Sequence, residues 1–218
     1  MPRETNPVLC YVTGRRDLGP PEPLSAAAAL VETAARVAAL GVDWIEVREK
    51  DLAGGPLLQL VSRIRTRAAP AQVLVNDRLD VALAAGAGGV HLGEEGLPVA
   101  AVRAWPGERA TGPFRIGKSC HSLDAARAAE TDGADYIFFG PVFATPSKLA
   151  YGAPQGTGRL AAVCRAVKIP VIAIGGISPE NAAECIAAGA AGLAAIRCFQ
   201  QPDGLADRVA RLRAAAGV

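Results

Sequence analysis

The stretch PVIAIGGISPENAAECIAAGAAGLAAI, residues 170–196, decides the fold, because it contains a complete strand–helix–strand unit. Apolar runs predict strands at 170–176 and 192–197. Between them a helix is predicted over 178–188, with Pro179 suited to its first position. Both strands are continuously apolar, which is typical of parallel strands buried on both faces. The stretch therefore predicts a βαβ unit of a parallel sheet.

The same unit repeats along the chain. Further strands are predicted at 8–13, 44–49, 72–77, 89–93, 114–119 and 135–140. Further helices are predicted at 25–40, 53–69, 78–86, 97–105, 122–133, 157–168 and 203–216. Ser122 is suited to cap the fifth helix, and glycines suited to end helices precede the next strand at Gly41, Gly86, Gly133 and Gly189.

Eight such units predict an α/β protein made of a single (β/α)8 TIM barrel over 1–218, with an irregular segment at 1–7. The alternative is a doubly wound open sheet. The first strand–helix turn, YVTGRRDLGP at 11–20, has no GxGxxG motif, which argues against the dinucleotide-binding form of that alternative.

Composition excludes several classes of protein. Half of the 218 residues are hydrophobic and the net charge is +2, which favours a packed domain and argues against a nucleic-acid partner. The first ten residues lack an apolar segment and no apolar run reaches about 18 residues, so we expect neither a secretory signal nor a membrane helix.

Five cysteines without a CxxC pair indicate a reduced, cytoplasmic protein. Two histidines and scattered cysteines argue against a zinc site.

Polar residues and glycines follow the predicted strands at their carboxyl ends, where TIM barrels carry their active sites. In chain order they are Glu46, Arg48, Lys50, Asn76, Asp77, His91, Glu94, Glu95, Ser119, His121, Thr145, Ser147, Lys148, Gly175, Gly176 and Arg197.

This set favours a phosphorylated ligand. Arg48, Lys50 and Lys148 offer cations that bind phosphate oxygens. Gly175 and Gly176 allow backbone amides to approach a ligand, just before a predicted helix whose N-terminus would attract anions. A carboxylate such as Asp77 could hold Mg²⁺ that is otherwise coordinated by water and phosphate.

Some of these residues have purely structural alternatives. The role of Asn76 and Asp77 could be no more than to cap the N-terminus of the third helix. His91 is expected to face the core. Cys120 and His121 are adjacent in a strand and so face opposite ways, which argues against a Cys–His nucleophilic pair. Arg197 could bind a phosphate or pair with an acidic neighbour.

The segment FFGPVFATPSKLAYGAPQG, residues 138–156, is longer than a typical connection. Its start is the end of the sixth strand, so the rest is expected to be the loop that follows at the active-site rim. Gly152, Pro154 and Gly156 are suited to a flexible return, as in a lid that orders over bound phosphates.

Four motifs of the chain form a characteristic set, namely EVREKDL at 46–52, VNDRLDVALAAGAGGVHLG at 75–93, GADYIFFGPVFATPSK at 133–148 and the opening stretch at 170–196. Together they resemble the thiamine phosphate synthase family, whose members include thiazole tautomerases. The similarity covers roughly residues 8–200. It implies a transferase that joins a pyrimidine diphosphate to a thiazole phosphate, or to its carboxylated form, and releases pyrophosphate.

The resemblance also implies roles for the residues at the strand ends. Arg48, Lys50, Asn76, Ser119 and Lys148 would hold the diphosphate, and Asp77 would help to bind Mg²⁺. Thr145, Ser147, Gly175, Gly176 and the turn after the eighth strand, where Arg197 lies, would hold the thiazole phosphate. Glu46, also on the substrate side, stands where synthases usually have Gln. Gly96 stands where they usually have an Asp that is a second Mg²⁺ ligand, and Glu94 or Glu95 could replace that ligand.

Two alternatives remain open within the family. In a thiazole tautomerase, His121 would be the acid/base that aromatises a carboxythiazole phosphate. A non-catalytic barrel that only binds thiazole phosphate is the second, and the glycine at position 96 is the feature that favours it. The partners implied are small phosphorylated molecules. A homodimer is an open expectation, since the sequence does not determine the oligomeric state.

Overall fold

The structure is a computed structural model that describes residues 6–18, 23–105, 114–145 and 153–217. Eight parallel strands form a closed barrel in sequence order, in which β1 pairs with both β2 and β8. The strands are β1 Val8–Val12, β2 Trp44–Val47, β3 Gln72–Asn76, β4 Gly89–Leu92, β5 Arg115–Cys120, β6 Tyr136–Phe139, β7 Val171–Ile174 and β8 Gly192–Ala195. The predicted TIM barrel is confirmed, and the open sheet is wrong, because β1 and β8 close the sheet on itself.

Helices follow the strands and cover the outside of the barrel. They are α1 Pro23–Ala39, α2 Gly54–Arg67, α3 Leu79–Ala84, α4 Val99–Arg103, α5 Leu123–Thr131, α6 Gly156–Ala166, α7 Ala182–Ala187, α8 Arg197–Gln200 and α9 Leu205–Ala215. None of these helices is both long and apolar enough to span a membrane. The expected irregular start at 1–7 lies mostly outside the described residues.

The core has an inner and an outer layer, because successive strand residues point to opposite faces of the sheet. The inner cluster fills the barrel with Val8, Cys10, Val12, Trp44, Leu74, Tyr136, Phe138, Ile172 and Ala194. Their neighbours in sequence, such as Leu9, Ile45 and Ile137, belong to the outer cluster that packs against the helices. Burial on both faces explains why the strands are continuously apolar.

Local signals for helix ends behave as predicted in several places. The Ser122 hydroxyl caps α5 by accepting a hydrogen bond from the Ala125 amide at 3.1 Å. The four glycines predicted to end helices all have positive φ, a conformation that favours glycine, namely Gly41, Gly86, Gly133 and Gly189.

The predicted boundaries around 170–196 are wrong at three points. Helix α7 begins at Ala182 rather than 178, so Pro179 lies in the turn before it. The Asn181 side chain closes this turn, accepting from the Ser178 amide at 2.9 Å and donating to the Gly176 carbonyl at 2.8 Å. Strand β7 ends before the two glycines.

The third boundary concerns the eighth strand. Strand β8 ends at Ala195, and Arg197 starts the short helix α8. No helix was predicted there, because four residues are too few to show a helical period.

Candidate active site

Polar side chains gather at one rim of the barrel, because all eight strands run parallel and their carboxyl ends meet there. Lys50 follows β2 and Asp77 follows β3, and the Lys50 ammonium lies 3.6 Å from the Asp77 carboxylate. A surface cavity of about 220 Å³ lies beside these two residues and Asn76. The structure thus brings three of the predicted phosphate- and metal-binding residues together.

Asp77 is held in an unusual conformation above this rim. Its φ is +58°, a left-handed value that costs a residue other than glycine on the order of 1–3 kcal/mol. One carboxylate oxygen accepts a hydrogen bond from the Gly93 amide at 2.6 Å, and the other accepts one from the Asn76 amide group at 2.6 Å. The residue that precedes α3 as its N-cap is Arg78. The alternative that Asn76 and Asp77 only cap this helix is therefore wrong.

Gly96 lies directly against Asp77. A Cβ atom at position 96 would be 2.7 Å from an Asp77 carboxylate oxygen and 3.1 Å from the Gly93 carbonyl oxygen. A side chain at position 96 would therefore start beside the candidate metal ligand. Glu94, by contrast, points to His121, with 3.7 Å between its carboxylate and the imidazole Nε2. Glu95 is exposed.

Glu46 lies inside the barrel below the rim. Its side chain is buried, and its Oε2 atom has no hydrogen-bond partner among the described residues. Burial raises the pKa of this carboxyl to about 8, with Asp77 adding to the rise and Arg48 and Lys50 opposing it. At neutral pH Glu46 is thus mostly uncharged, which removes the repulsion that a carboxylate would exert on a bound phosphate.

Arg48 is supported by residues that the sequence patterns did not indicate. Its backbone amide donates to the buried Thr13 hydroxyl at 3.0 Å, and that hydroxyl donates to Glu49 at 2.7 Å. Arg15 pairs with the same Glu49 carboxylate at 2.9 Å and with Asp51. Only the tertiary structure shows this network, because its members lie 34–36 residues apart in the chain.

Ser119 and His91 meet at the ends of β5 and β4. The Ser119 hydroxyl lies 2.9 Å from His91 Nε2, and His91 Nδ1 lies 3.1 Å from the Tyr136 hydroxyl. Burial lowers the pKa of His91 to about 3, so its ring is neutral. The prediction that His91 faces the core is confirmed, and the structure adds that it contacts Ser119.

His121 lies at the same rim with its ring nitrogens in different surroundings. Its Nδ1 donates to the Gly140 carbonyl oxygen, since a carbonyl can only accept. In the neutral ring, Nε2 then carries no proton and is the nitrogen that can act as a base. The adjacent Cys120 is buried in the outer core, where burial raises its pKa to about 12, and this agrees with the prediction that the two side chains face opposite ways.

Lys118, which the strand-end patterns also missed, links two loops of the rim. Its ammonium donates to the carbonyl oxygens of Gly93 at 2.7 Å and Glu94 at 3.1 Å. The lysine lies between Gly117 and Ser119 near the end of a buried strand. A charged residue is unusual at such a position, so the sequence did contain a pattern that could have indicated a role for Lys118.

Gly175 and Gly176 form a tight connection after β7. Both have positive φ, and a Cβ atom on Gly176 would be 2.7 Å from the Ala144 carbonyl oxygen. Glycine is therefore needed for the loops after β6 and β7 to pack together. The expected helix N-terminus is not adjacent to these glycines, since α7 begins six residues after Gly176.

Thr145 and Arg197 come together from different loops. The Arg197 guanidinium donates to the buried Thr145 hydroxyl at 3.0 Å. Of the two expected roles of Arg197, pairing with an acidic neighbour is not seen among the described residues, and the side chain instead lies beside a predicted phosphate-binding threonine.

The remaining predicted residues of this loop, Ser147 and Lys148, lie outside the described residues, as does Gly152. The returning end of the loop is described. The Gln155 amide donates to the Pro141 carbonyl at 2.7 Å, and the Gly156 amide donates to Val142 at 3.0 Å. Both ends of the loop are therefore held at the rim.

Known proteins resemble this chain over most of its length. A family profile described as "Thiamine monophosphate synthase" matches residues 10–199. The putative thiamine-phosphate synthase of Geobacter sulfurreducens is 51% identical over 158 residues, 72% of this chain and 72% of the relative. The thiamine-phosphate synthase of Moorella thermoacetica is 46% identical over 176 residues, 79% of this chain and 81% of the relative.

Solved structures agree with the sequence relatives. The thiamine phosphate pyrophosphorylase from Pyrococcus furiosus superposes with a TM-score of 0.80 at 32% identity, covering 96% of this chain and 95% of that one. A 3-hexulose-6-phosphate synthase, with a TM-score of 0.69 at 18% identity, shares the fold alone. The profile match and the identity of these relatives show that the chain belongs to the thiamine monophosphate synthase family.

Proposed function

We propose that this protein is a thiamine phosphate synthase, a transferase that joins a hydroxymethylpyrimidine diphosphate to a thiazole phosphate and releases pyrophosphate. The observation that carries the proposal is the cluster of Lys50, Asn76 and Asp77 at the ends of β2 and β3. A cation, an amide donor and a carboxylate suited to Mg²⁺ are the groups that a diphosphate requires.

The reaction needs positive charge at the leaving group. The bond between the pyrimidine methylene carbon and the diphosphate oxygen breaks, and its electron pair leaves with pyrophosphate. The methylene carbon becomes cationic, and the thiazole nitrogen lone pair forms the new C–N bond. Arg48, Lys50, Asn76 and Ser119 would stabilise the departing pyrophosphate, together with Lys148 beyond the described residues. A closed site would keep water from trapping the cation.

The thiazole phosphate would bind on the opposite side of the rim. Thr145 and Arg197 already contact each other there, and the Gly175–Gly176 connection packs against the same loop. Arg197 can present its planar fork to phosphate oxygens. Ser147 would complete this subsite from the part of the loop that follows Thr145.

Asp77 fits a magnesium ion that is held mainly by water and substrate. Among the described residues, no cluster of three or more acidic, histidine or cysteine side chains could hold a metal on its own. Mg²⁺ commonly uses one or two carboxylates and completes its shell with water and phosphate oxygens, so the single Asp77 carboxylate is sufficient. When bound, Mg²⁺ would neutralise charge on the diphosphate.

Glu46 would contact the substrate from inside the barrel. In its neutral form the carboxyl can donate one hydrogen bond and accept another, as the amide of a glutamine does. The unpartnered Oε2 atom supports such a role, since a buried polar atom without a partner is costly unless a ligand supplies one.

Thiazole tautomerase activity is the second candidate, favoured by the position of His121 at the rim, where its Nδ1 donates to the Gly140 carbonyl and its Nε2 lies 3.7 Å from the Glu94 carboxylate. The names of the relatives support the synthase instead.

The deciding experiment is an assay with the pyrimidine diphosphate, the thiazole phosphate and Mg²⁺. We expect thiamine phosphate to form, measured as its fluorescent oxidation product, and formation to stop when Mg²⁺ is chelated. Lys50→Ala should lower the rate strongly, whereas Arg63→Ala on the exposed face of α2 serves as the matched control and should not. Absence of product, with conversion of the carboxythiazole tautomer instead, would refute the synthase proposal.

The partners of the protein would be these small phosphorylated substrates. A cytoplasmic location is supported by the five cysteines, all of which are free thiols. We keep a homodimer as a proposal, which sedimentation equilibrium of the full chain would test.

A further inference from the structure

A chain of three hydrogen-bonding side chains runs inside the barrel from Tyr136 through His91 to Ser119. The Tyr136 hydroxyl lies 3.1 Å from His91 Nδ1, and His91 Nε2 lies 2.9 Å from the Ser119 hydroxyl. Tyr136 and His91 are each 1% exposed, while Ser119 is half-buried at the rim. The chain thus connects the closed interior to the candidate active site.

The surrounding residues hold the His91 ring in one position. The ring centroid of Phe138 lies 4.2 Å away and that of Tyr136 lies 5.5 Å away. A Cβ atom on Gly117 would overlap the Tyr136 ring and lie 2.6 Å from His91 Nδ1, so the glycine provides the space in which the two rings meet. An imidazole packed in this way cannot turn to exchange its nitrogens without moving its neighbours.

The hydrogen bonds determine which ring nitrogen carries the proton. Within the described part of the chain, the Tyr136 hydroxyl has His91 Nδ1 as its hydrogen-bond partner. If Nδ1 were protonated, the phenol would accept, and its own buried hydrogen would have no acceptor among the described residues, which is unfavourable. If Nδ1 is unprotonated, the phenol donates to it and Nε2–H donates to Ser119.

We propose that His91 is a positioning residue that turns Ser119 into a hydrogen-bond donor for the substrate. Because Nε2–H occupies a lone pair of the Ser119 oxygen, the hydroxyl hydrogen stays available for an oxyanion. The opposite tautomer would take that hydrogen, and phosphate oxygens can only accept hydrogen bonds. The identity of the anion, the diphosphate, rests on the proposed function, whereas the tautomer of His91 does not.

The tautomer can be measured directly by nitrogen NMR on the full chain with labelled histidine. The sequence contains two histidines, so the signals of His91 and His121 can be assigned with a His121→Gln variant. We expect His91 to be protonated at Nε2 and unprotonated at Nδ1. A proton on Nδ1 would overturn the proposal, whether or not the protein has synthase activity.

Activity measurements then test whether His91 acts through Ser119. His91→Leu removes the donor at similar volume and should lower kcat/KM for the diphosphate by about 10-fold to 100-fold, the equivalent of one hydrogen bond to a charged group. His91→Gln keeps an N–H near the Nε2 position and should restore most of the loss. KM for the thiazole phosphate should not change. Equal losses in both variants would count against the proposal.

A double-mutant cycle separates positioning from a general structural effect. In a Ser119→Ala background, His91→Leu should have little further effect on kcat/KM, because the hydroxyl through which it acts is gone. Additive losses would overturn the proposal. If His91→Leu does not fold, Tyr136→Phe takes its place in the cycle. This substitution keeps the aromatic ring and removes only the hydroxyl that donates to His91 Nδ1.

The single variants of His91 remain informative if the synthase assay fails. Binding of inorganic pyrophosphate, measured by calorimetry, should weaken in His91→Leu and recover in His91→Gln. Pyrophosphate binding that follows this order in a protein without synthase activity would refute the proposed function and leave the role of His91 standing.

Discussion

At the scale of single residues, Glu46 shows how burial changes the meaning of a substitution. A carboxyl in place of glutamine suggests repulsion of a diphosphate when only the sequence is considered. In the barrel the side chain is buried beneath the rim, and its pKa is raised to about 8. At neutral pH the group therefore resembles the amide that it replaces, since it can both donate and accept a hydrogen bond.

The raised pKa of Glu46 makes a prediction about stability. A carboxyl whose folded pKa exceeds its unfolded value of about 4.3 stabilises the protein below that value, and this stability is lost as pH rises toward 8. The glutamine of Glu46→Gln does not titrate. The free energy of unfolding of this variant, relative to that of the wild type, should therefore increase from pH 5 to pH 9 by on the order of a few kcal/mol. Urea denaturation at several pH values, without Mg²⁺ or substrate, measures this difference.

The matched control is Glu32→Gln, since Glu32 is an exposed glutamate that pairs with Arg67 on the outside of the barrel. Its stability relative to the wild type should stay constant over the same pH range. A difference for Glu46→Gln that is equally constant would show that Glu46 is ionised throughout.

Substitutions at Gly96 test whether Asp77 binds Mg²⁺, because any side chain at position 96 would begin 2.7 Å from an Asp77 carboxylate oxygen. Gly96→Asp and Gly96→Asn introduce side chains of the same size that differ in charge. If Asp77 holds Mg²⁺, the aspartate variant should reach half-maximal activity at about fivefold lower Mg²⁺ than the asparagine variant, the equivalent of ~1 kcal/mol for one added charge. Identical Mg²⁺ dependence in the two variants would argue against a metal at Asp77.

At the scale of secondary-structure elements, the loops after β6 and β8 meet through one hydrogen bond between Thr145 and Arg197. The sequence placed both residues at strand ends but could not show that they touch, because they are 52 residues apart. The short helix α8 also went unpredicted. It places Arg197 at its first position, where the side chain reaches across to the neighbouring loop.

Removal of this arginine should affect one substrate only. Arg197→Ala should raise KM for the thiazole phosphate by about 10-fold to 100-fold, since a charge-assisted contact to phosphate is lost. KM for the pyrimidine diphosphate should stay unchanged. Steady-state kinetics with each substrate varied in turn measures both values, with Arg165→Ala on the exposed side of α6 as the control. Equal increases in both KM values would contradict the assigned subsite.

At the scale of the whole molecule, the barrel is closed by the pairing of β1 with β8, so the two ends of the described chain support each other. The inner cluster joins residues of β1, β2 and β3 to residues of β6, β7 and β8 in one continuous group. A chain built in this way should unfold as one unit, and the prediction of a single domain over residues 1–218 requires the same behaviour.

We therefore expect a single calorimetric transition whose van't Hoff and calorimetric enthalpies agree. Urea denaturation followed by tryptophan fluorescence and by far-UV circular dichroism should have the same midpoint, because Trp44 lies inside the barrel. Two resolved transitions would indicate that separate parts of the barrel fold independently.

The sequence by itself determined the fold class and the rim at which the site lies. Apolar runs, helix periods and helix-ending glycines are local signals, and eight repeats of them allow one closed arrangement of parallel strands. The strand ends then place residues such as Lys50, Asp77 and Arg197 at a common rim.

Only the tertiary structure decided what those residues do to one another. The neutral state of Glu46, the contact of Gly96 with Asp77 and the tautomer of His91 depend on burial and on distances between residues far apart in the chain. Electrostatic and hydrogen-bond energies change steeply over a few ångströms, and the pattern of residue types along a strand does not contain those distances.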